Sequence, residues 1–397
     1  MRMVDISRAS SPTSFGASDL FQLLRDGQPR TRADLAATTG LARSTIALRV
    51  DELIELGLVS PVNDAQSTGG RPSSQFALNA TARVVLAADL GATHGTIAIT
   101  NLSGVVLGKS SGTIDIASGP EVVLDWAVDA ARTLLAELGF APEDLISIGI
   151  GLPGPVEHST GRPVNPPIMP GWDGFDVPAY IRTHFDVPVL VDNDVNIMAL
   201  GERAFAWPEI EDFIFVKVAT GIGSGVISSG KLQRGAQGIA GDIGHVRISR
   251  GDGTPCHCGN RGCLEAMASG PAIVKSLEAQ GHEVASNSAV IELVRQGNID
   301  AIQAIRQAGR DLGEVLTACV SLMNPAVIVV GGSMAAVGEH IIAGVREIIY
   351  TRSMPLATSN LTIASSAAGK DAAILGASIL AIEHALSPAA IDTMVAK

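Results

Sequence analysis

Three of the chain's four cysteines lie within eight residues of one another, and this cluster constrains the fold more than any other feature. They are spaced C-x-C-x4-C, with a histidine eleven residues before the first. A Cys3His set is a normal tetrahedral shell for zinc, and Gly259 and Gly262 supply the turns that a tight metal knuckle needs. We therefore predict a zinc knuckle over residues 245–263, with the ligands His245, Cys256, Cys258 and Cys263. The alternative is three incidental buried thiols, and His257 is expected to point outward.

The composition is that of a large globular protein. The chain has 397 residues, of which 46% are hydrophobic and 17% charged, and this length suits two or three domains. No apolar run reaches the roughly 18 residues of a membrane span, and the N-terminus has no signal-peptide-like hydrophobic stretch. We therefore expect a cytoplasmic protein without a membrane partner, whose thiols stay reduced and available to metal. Cys319, alone in an apolar helical pattern, is expected in the core.

The formal net charge of −12 argues against nucleic-acid binding by the chain as a whole, but the charge is unevenly distributed. Residues 1–80 hold eight arginines and eight acidic residues, so their formal charge is zero. The whole acidic excess therefore lies in residues 81–397. The first segment is expected to form an electrostatically separate unit, with a domain boundary near residue 80.

Residues 18–57 have the pattern of three helices. Ser18 is the expected cap of the first, and the second is capped by Thr31 and ended by Gly40. A third, longer helix follows, which makes a helix-turn-helix, and the start of the second helix of such a motif enters the major groove. The side chains there that can bond bases or phosphates are Arg43, Ser44, Thr45 and Arg49.

A wing is predicted directly after these helices. Two short strands, around Leu58–Val62 and Gln75–Leu78, flank a flexible polar tip. Arg71, held out in that tip by two glycines and a proline, suits contact with the minor groove or a phosphate. We therefore predict that residues 1–80 bind double-stranded operator DNA. The alternative is a small helical protein-interaction module with a solvated arginine.

Residues 81–397 alternate between strand-like and helical patterns. Two units of strand, glycine-rich turn and strand each lead into further strands and helices. This repetition predicts an α/β architecture of two lobes with a cleft between them, where ligands commonly bind. The first lobe is expected over about 81–195 together with a C-terminal helix at 371–388, and the second over about 196–370.

The pattern GH…CxCGxxGCLE of residues 244–265 resembles the signature of the ROK family, named for repressors, open reading frames and sugar kinases. The resemblance covers essentially the whole chain, and the helix-turn-helix resembles that of the repressor branch, close to xylose and N-acetylglucosamine repressors. It implies a winged helix-turn-helix followed by a two-lobed actin-like, hexokinase-like (ribonuclease H-like) ATPase fold. It also implies a homodimer or homotetramer.

The resemblance further implies a monosaccharide or sugar-phosphate effector. Sugar hydroxyls both donate and accept hydrogen bonds, so buried carboxylates and amides suit them and reject sugars that lack a hydroxyl. The zinc would be structural and would hold His245 and Glu265 in the wall of the pocket. Family members usually have Glu where this chain has Asp242. The sugar-binding positions carried over are Asn165, Asn193, Asp194, Asp242, His245 and Glu265.

Asp194 corresponds to the general base of the family's kinases, which would also need ATP and Mg2+. The family's first phosphate motif is altered here at Ala92 and His94, and the second at Ala219. The nucleotide positions that remain are Asp89, Gly91, Thr93, Thr220, Gly221, Gly223, Gly331 and Gly332. We therefore favour a sugar-responsive regulator, a repressor of carbohydrate genes, over an ATP-dependent sugar kinase. A pure protein-interaction module is the third hypothesis.

Overall fold

The computed structural model describes residues 15–62 and 74–396, so the prediction for Arg71 and the wing tip lies outside the described residues. Residues 15–62 and 74–78 form an N-terminal unit, here called the head. Its elements are α1 (Ala17–Leu24), β1 (Arg30–Thr31), α2 (Arg32–Thr39), α3 (Arg43–Glu55), β2 (Val59–Val62) and β3 (Gln75–Leu78). The strands pair antiparallel in the order β1-β3-β2. The winged helix-turn-helix prediction is thereby confirmed.

Local hydrogen bonds set the boundaries of the head's helices. The Thr31 hydroxyl accepts from the Asp34 amide at 3.1 Å, and the Asp34 carboxylate accepts from the Thr31 amide at 2.9 Å, so Thr31 caps α2 as predicted. Gly40, at φ 73°, ends this helix. The prediction that Ser18 caps α1 is wrong, because the helix begins one residue earlier and buries Ser18, while Gly16 takes the cap position.

The first lobe is built on a five-stranded sheet. Its elements are β4 (Val84–Leu90), β5 (His94–Asn101), β6 (Val106–Thr113), α4 (Pro120–Glu137), β7 (Leu145–Leu152), β8 (Val156–Glu157), β9 (Arg162–Pro163), α5 (Val177–Arg182) and β10 (Val189–Asn193). The strand order is β10-β7-β4-β5-β6, in which β4 to β6 form an antiparallel meander and β7 and β10 run parallel to β4. The central strands are nearly continuous apolar runs, as expected for strands buried on both faces.

The second lobe repeats this plan. Its elements are α6 (Asp194–Ala206), β11 (Phe213–Val218), β12 (Ile222–Ser228), β13 (Lys231–Gln233), α7 (Leu264–Ala268), α8 (Gly270–Glu278), α9 (Asn287–Arg295), α10 (Ile299–Met323), β14 (Val327–Gly331), α11 (Gly338–Arg352), α12 (Pro355–Thr358) and β15 (Thr362–Ser365). The order β13-β12-β11-β14-β15 again joins an antiparallel meander to two parallel strands. The predicted two-lobed α/β fold is confirmed by this repetition.

Two helices cross between the sheets with their backbones in contact. α13 (Ala372–Ala385) packs on β4 and β7 and crosses α6, which packs on β11 and β12. A Cβ atom on Gly376 would lie 1.7 Å from the Ile197 carbonyl oxygen, and one on Gly201 would lie 2.0 Å from the Ala372 carbonyl oxygen. Only glycine permits this approach, so the lobes meet where two main chains are closely packed.

The core of the head is continuous with the end of α13. A further helix, α14 (Pro388–Val395), which the sequence analysis did not predict, packs against α1. Phe21 of the head and Ile391 of α14 belong to one buried apolar cluster. Arg25 of the head also forms an ion pair with Glu383 of α13 at 2.6 Å. The head is therefore anchored to the C-terminal helices of the body.

The C-terminal helix predicted over residues 371–388 is α13, which ends at Ala385, and α14 begins after it at Pro388. The Ser387 hydroxyl accepts from the Ala390 amide at 3.3 Å and caps this second helix. Within the described residues, no single helix is long and apolar enough to cross a membrane, and only the pair Gly369–Ala385 and Pro388–Val395, bent by 49°, meets that criterion together.

Candidate functional site

The four predicted metal ligands converge on one point. The ligand atoms of His245, Cys256, Cys258 and Cys263 all lie within 4.8 Å of one another. His245 Nδ1 and Cys256 Sγ are 3.7 Å apart, and so are the sulfurs of Cys258 and Cys263. Ligands about 2.3 Å from a tetrahedral zinc lie roughly 3.8 Å from each other. The cluster can therefore bind such a metal ion, whereas His257 lies exposed outside it.

Two glycines make the turns of this knuckle. Gly259 and Gly262 have φ values of 88° and 81°, in the left-handed region that favours glycine. The second turn places Cys263 opposite Arg247 in a short antiparallel bridge. Burial raises the pKa of the Cys263 thiol to about 12, so a metal ion would bind there by displacing the thiol proton.

Glu265 joins the knuckle to the second glycine-rich turn. Its carboxylate accepts from the Ile222 amide at 2.9 Å, and its own amide donates to the Gly244 carbonyl at 2.8 Å. A Cβ atom on Gly221 would lie 2.6 Å from the Glu265 carboxylate. This carboxylate therefore covers the turn in which a kinase would hold phosphate. Asp242 is exposed on the segment that leads into the knuckle.

Asp194, the first residue of α6, is buried against a lysine. The Nζ atom of Lys217, from β11, lies 2.5 Å from Asp194 Oδ2; sequence analysis did not single out this lysine. Asn193 caps the helix, because its Oδ1 accepts from the Val195 amide and its Nδ2 donates to the Gly154 carbonyl, each at 2.9 Å. The Asn193 amide is thus largely engaged in fixing the start of α6.

A second buried carboxylate lies two residues earlier, at the end of β10. Asp192 accepts from Asn196 Nδ2 at 2.8 Å and from Arg234 Nε at 2.7 Å, and the Nδ1 atom of His158 lies 3.5 Å away. Arg234 and His158 were missed by the sequence analysis, since neither belongs to a local motif. Together they hold the end of β10 against two neighbouring loops.

The loop that carries Asn165 packs beside the end of β10. Asn165 is exposed and has a φ of 43°, and its amide donates to the Asp173 carboxylate at 2.8 Å. The next residue, Pro166, lies 3.1 Å from the Cβ position of Gly154, whose carbonyl is held by Asn193. The structure therefore brings two of the predicted sugar-binding segments together.

The first glycine-rich turn is covered by its own histidine. A Cβ atom on Gly91 would lie 2.6 Å from the imidazole of His94. The Asp89 carboxylate, 3.7 Å from His94 Nε2, raises the pKa of His94 above its ordinary value. Thr93 is exposed at the tip of the turn. The imidazole therefore lies directly against Gly91.

Other glycines of the predicted nucleotide site are required by packing. A Cβ atom on Gly331 would lie 2.2 Å from the ring of Phe215, and one on Gly332, at φ 85°, would lie 2.6 Å from the Val218 carbonyl oxygen. Both positions need glycine whether or not a nucleotide binds. Thr220 is exposed in the second turn.

The start of α3 presents the predicted DNA-binding side chains. Arg43 and Ser44 are exposed, and Thr45 is half-buried. Arg49 is held on its own helix by an ion pair of 3.0 Å with the acid three residues on. Leu48, which the sequence analysis overlooked, is 58% exposed. Arg43 and Ser44 are therefore the better placed of the predicted polar contacts.

A family model described as the ROK family matches residues 85–384. The chain belongs to the ROK family. Among curated ROK relatives, the xylose repressor of Bacillus spizizenii is 31% identical over 368 residues, which are 92% of this chain and 94% of that protein. The resemblance inferred from the cysteine segment is thereby confirmed.

Solved ROK structures match both the whole chain and its body. A ROK family transcriptional regulator, described as a homolog of the E. coli MLC protein, superposes with a TM-score of 0.82 at 26% identity and covers 96% of this chain and 98% of its own. A ROK family glucokinase from Streptomyces griseus, in complex with glucose and AMPPNP, has a TM-score of 0.66 at 26% identity and covers 75% of this chain and 99% of its own. The regulator thus matches nearly the full length, whereas the kinase leaves a quarter unmatched.

Proposed function

We propose that this ROK protein is a sugar-responsive transcriptional repressor, which binds operator DNA through the head and a monosaccharide or sugar phosphate in the cleft between its lobes. The observation that carries the proposal is that the head and the two-lobed body are packed together through α13. The head shares a buried core with the end of α13, and α13 crosses α6, which begins at Asp194. A ligand that moves α6 would therefore move the support of the head.

The head would bind double-stranded DNA with the start of α3 in the major groove. Arg43 and Ser44 would donate to base edges or phosphates, with Thr45 and Arg49 beside them. Arg71, in the undescribed tip of the wing, remains a predicted contact with the minor groove. In a homodimer or homotetramer, two heads would bind two half-sites, so a change in their spacing would weaken the complex.

The sugar would bind between the buried Asp194 and the half-buried Glu265. Asp194 lies at one wall and Glu265 at the other, and both already hold groups that a sugar hydroxyl can share or replace. Asn165, Asn193 and Asp242 would supply further polar contacts at the rim. A sugar that lacks a matching hydroxyl would leave a buried partner unsatisfied, which costs about 1–3 kcal/mol.

We further propose that the metal is a structural zinc ion. The Cys3His set and its interatomic distances suit zinc with no open position. With His245 Nδ1 on the metal, its Nε2–H would face a sugar hydroxyl. The zinc would also fix Glu265, which follows Cys263 by two residues. Its role would be to shape the pocket wall rather than to react.

An ATP-dependent sugar kinase is the second candidate, favoured by the position of Asp194 and by the glucokinase neighbour. His94 and Glu265 cover the two turns that would hold phosphates, so ATP and Mg2+ would bind only if both side chains moved. A coupled ADP-release assay over hexoses, pentoses and amino sugars tests this candidate. ADP release that the Asp194→Asn substitution abolishes would establish kinase activity. No ADP release with any sugar of the panel would exclude the kinase candidate.

The proposed coupling is a population shift between lobe arrangements. Sugar binding is expected to change operator affinity by roughly 5- to 150-fold. A thermal-shift screen with D-glucose, D-xylose, N-acetyl-D-glucosamine and their phosphates identifies the sugar. Fluorescence anisotropy with the DNA upstream of the gene, with and without that sugar, then measures the coupling. Absence of DNA binding under every condition would contradict the proposal.

Arg43→Ala is expected to weaken operator binding by roughly 5- to 150-fold, because it removes an exposed guanidinium from the start of α3. Sugar affinity should not change, since the cleft lies in the body. Arg295→Ala, at an exposed arginine of α9, is the matched control and should leave DNA binding unchanged. An equal loss of sugar affinity in the Arg43 variant would show that the two functions are not divided in this way.

A further inference from the structure

An ion pair between a buried aspartate and a partly buried lysine lies at the start of α6. Asp194 is 4% exposed, and the ammonium of Lys217 is 2.5 Å from its carboxylate. The lysine extends from β11 in the second-lobe sheet, whereas Asp194 stands where β10 of the first lobe meets α6. The pair therefore links the start of α6 to β11 beside the end of β10, at the position that corresponds to the base in the family's kinases.

The ammonium is held by two acids. Burial lowers the pKa of Lys217, but the attraction and hydrogen bond of Asp194, together with the charge of Asp89, outweigh burial and raise it. The lysine is therefore charged at neutral pH. His94, from β5, is the other basic group that faces this pair, and Asp89 is its nearest acid.

Neighbouring charges on β10 are already paired. Asp192 lies two residues before Asp194. Its carboxylate accepts a hydrogen bond from Arg234, and the ring of His158 faces it. Among the charged groups that the structure describes around Asp194, Lys217 is thus the cation in direct contact with it. Within this part of the described chain, no second cation forms a salt bridge with Asp194, although the charge of Asp194 also acts on His94.

We propose that Lys217 determines what this cleft does with a sugar: it holds Asp194 as an ionised acceptor for a sugar hydroxyl and prevents Asp194 from acting as a base. This inference rests on the proposed binding of a sugar in the cleft. The hydroxyl donates its hydrogen to the carboxylate oxygen that Lys217 leaves free, and its proton stays on the sugar. Lys217 is therefore a positioning residue, which acts through Asp194.

The physical reason lies in the product of proton transfer. A base must take the hydroxyl proton, and a protonated Asp194 would leave the Lys217 ammonium buried without its closest counter-ion. Losing one partner of a buried pair is unfavourable enough to slow such a step by on the order of a hundredfold to a few thousandfold. The same lysine that orients the Asp194 carboxylate toward a sugar hydroxyl thus opposes transfer of the hydroxyl proton to it.

The pH dependence of stability tests the pair without any ligand. Lys217→Met leaves a buried carboxylate without its cation, and burial raises the pKa of an unpaired carboxyl. The folded variant then binds a proton that the unfolded chain does not, so its stability falls as pH rises. Its deficit in unfolding temperature relative to wild type is expected to grow by roughly 2–5 °C between pH 5 and pH 8.

Two further variants complete this test. Lys217→Met combined with Asp194→Asn removes both charges, so its deficit should be smaller and flat with pH, even if the single variant fails to fold. Besides Asp89, both members of the pair act on the pKa of His94, which Lys217 lowers and Asp194 raises, so His94 contributes to the difference between the two variants. Lys109→Met removes an exposed lysine paired with Asp371 at 2.7 Å, and its deficit should be small and flat. A Lys217→Met deficit equal at all pH values would overturn the proposal.

An ADP-release assay separates this proposal from the proposed function. With D-glucose, D-xylose or N-acetyl-D-glucosamine and ATP-Mg, wild type should bind its sugar and release no ADP above background. ADP release by wild type that the Asp194→Asn substitution abolishes would contradict the proposal that Lys217 prevents Asp194 from acting as a base. If wild type binds no sugar, the proposed function fails, whereas the pH test of the ion pair still reports on Lys217 by itself.

Discussion

Gly376→Ala is expected to lower the free energy of unfolding by about 3 kcal/mol or more, although alanine is the better helix former by about 1 kcal/mol. The new Cβ atom would lie 1.7 Å from the Ile197 carbonyl oxygen, against about 3.5 Å for an ordinary contact. The position of a Cβ atom is fixed by its own backbone and the oxygen belongs to the main chain, so no side-chain rotation relieves the clash. α6 and α13 must separate, and the apolar contacts between them are lost.

Denaturant unfolding followed by circular dichroism measures this effect. Ser378→Ala, in the same buried helix, removes an oxygen whose hydrogen bond goes to Ile374 one turn back, and it adds no atom. That control should shift the midpoint only slightly. If Gly376→Ala kept the wild-type midpoint, the close crossing of α6 and α13 would be contradicted. A folded Gly376→Ala protein should also lose the effect of sugar on operator binding, because the crossing is the proposed link to the head.

The parts of the fold that sequence analysis predicted correctly depend on local patterns. Thr31 caps α2 because its hydroxyl and the acid three residues on can bond each other's amides within one turn. The two sheets follow from apolar strand runs bounded by glycine turns. The metal cluster was recognisable because its cysteines lie close together in the chain and only His245 must be brought from further away.

The parts that sequence analysis missed depend on distant contacts. Lys217 is one charged residue in an apolar strand, and nothing near it in the sequence names Asp194 as its partner. Gly201 and Gly376 are isolated helix glycines, and their purpose appears only when α6 and α13 cross. The shared core of the head and α14 is likewise a contact between the two ends of the chain.

Cys263→Ser is expected to abolish metal binding and, with it, the response to sugar. Cys263 is 1% exposed and immediately precedes α7, which carries Glu265. A serine hydroxyl does not replace a thiolate in a zinc shell, and the three remaining ligands leave the shell open. We expect stoichiometric metal in wild type and none in the variant by elemental analysis. The sugar-induced thermal shift should disappear, whereas the head should still bind operator DNA, because its core lies outside the knuckle.

Cys319→Ser is the matched control, since this fourth cysteine lies in α10 outside the cluster and should keep both metal and sugar response. Cys258→Ser separates metal loss from damage to the core, because Cys258 is exposed while Cys263 is buried. Both ligand variants should lose the metal and the sugar response. Only Cys263→Ser should also lower the free energy of unfolding, by about 1–3 kcal/mol, because it encloses a hydroxyl group. Native protein without stoichiometric metal would refute the knuckle. A metal-free Cys258→Ser protein with a wild-type sugar response would show that the metal does not support the pocket wall.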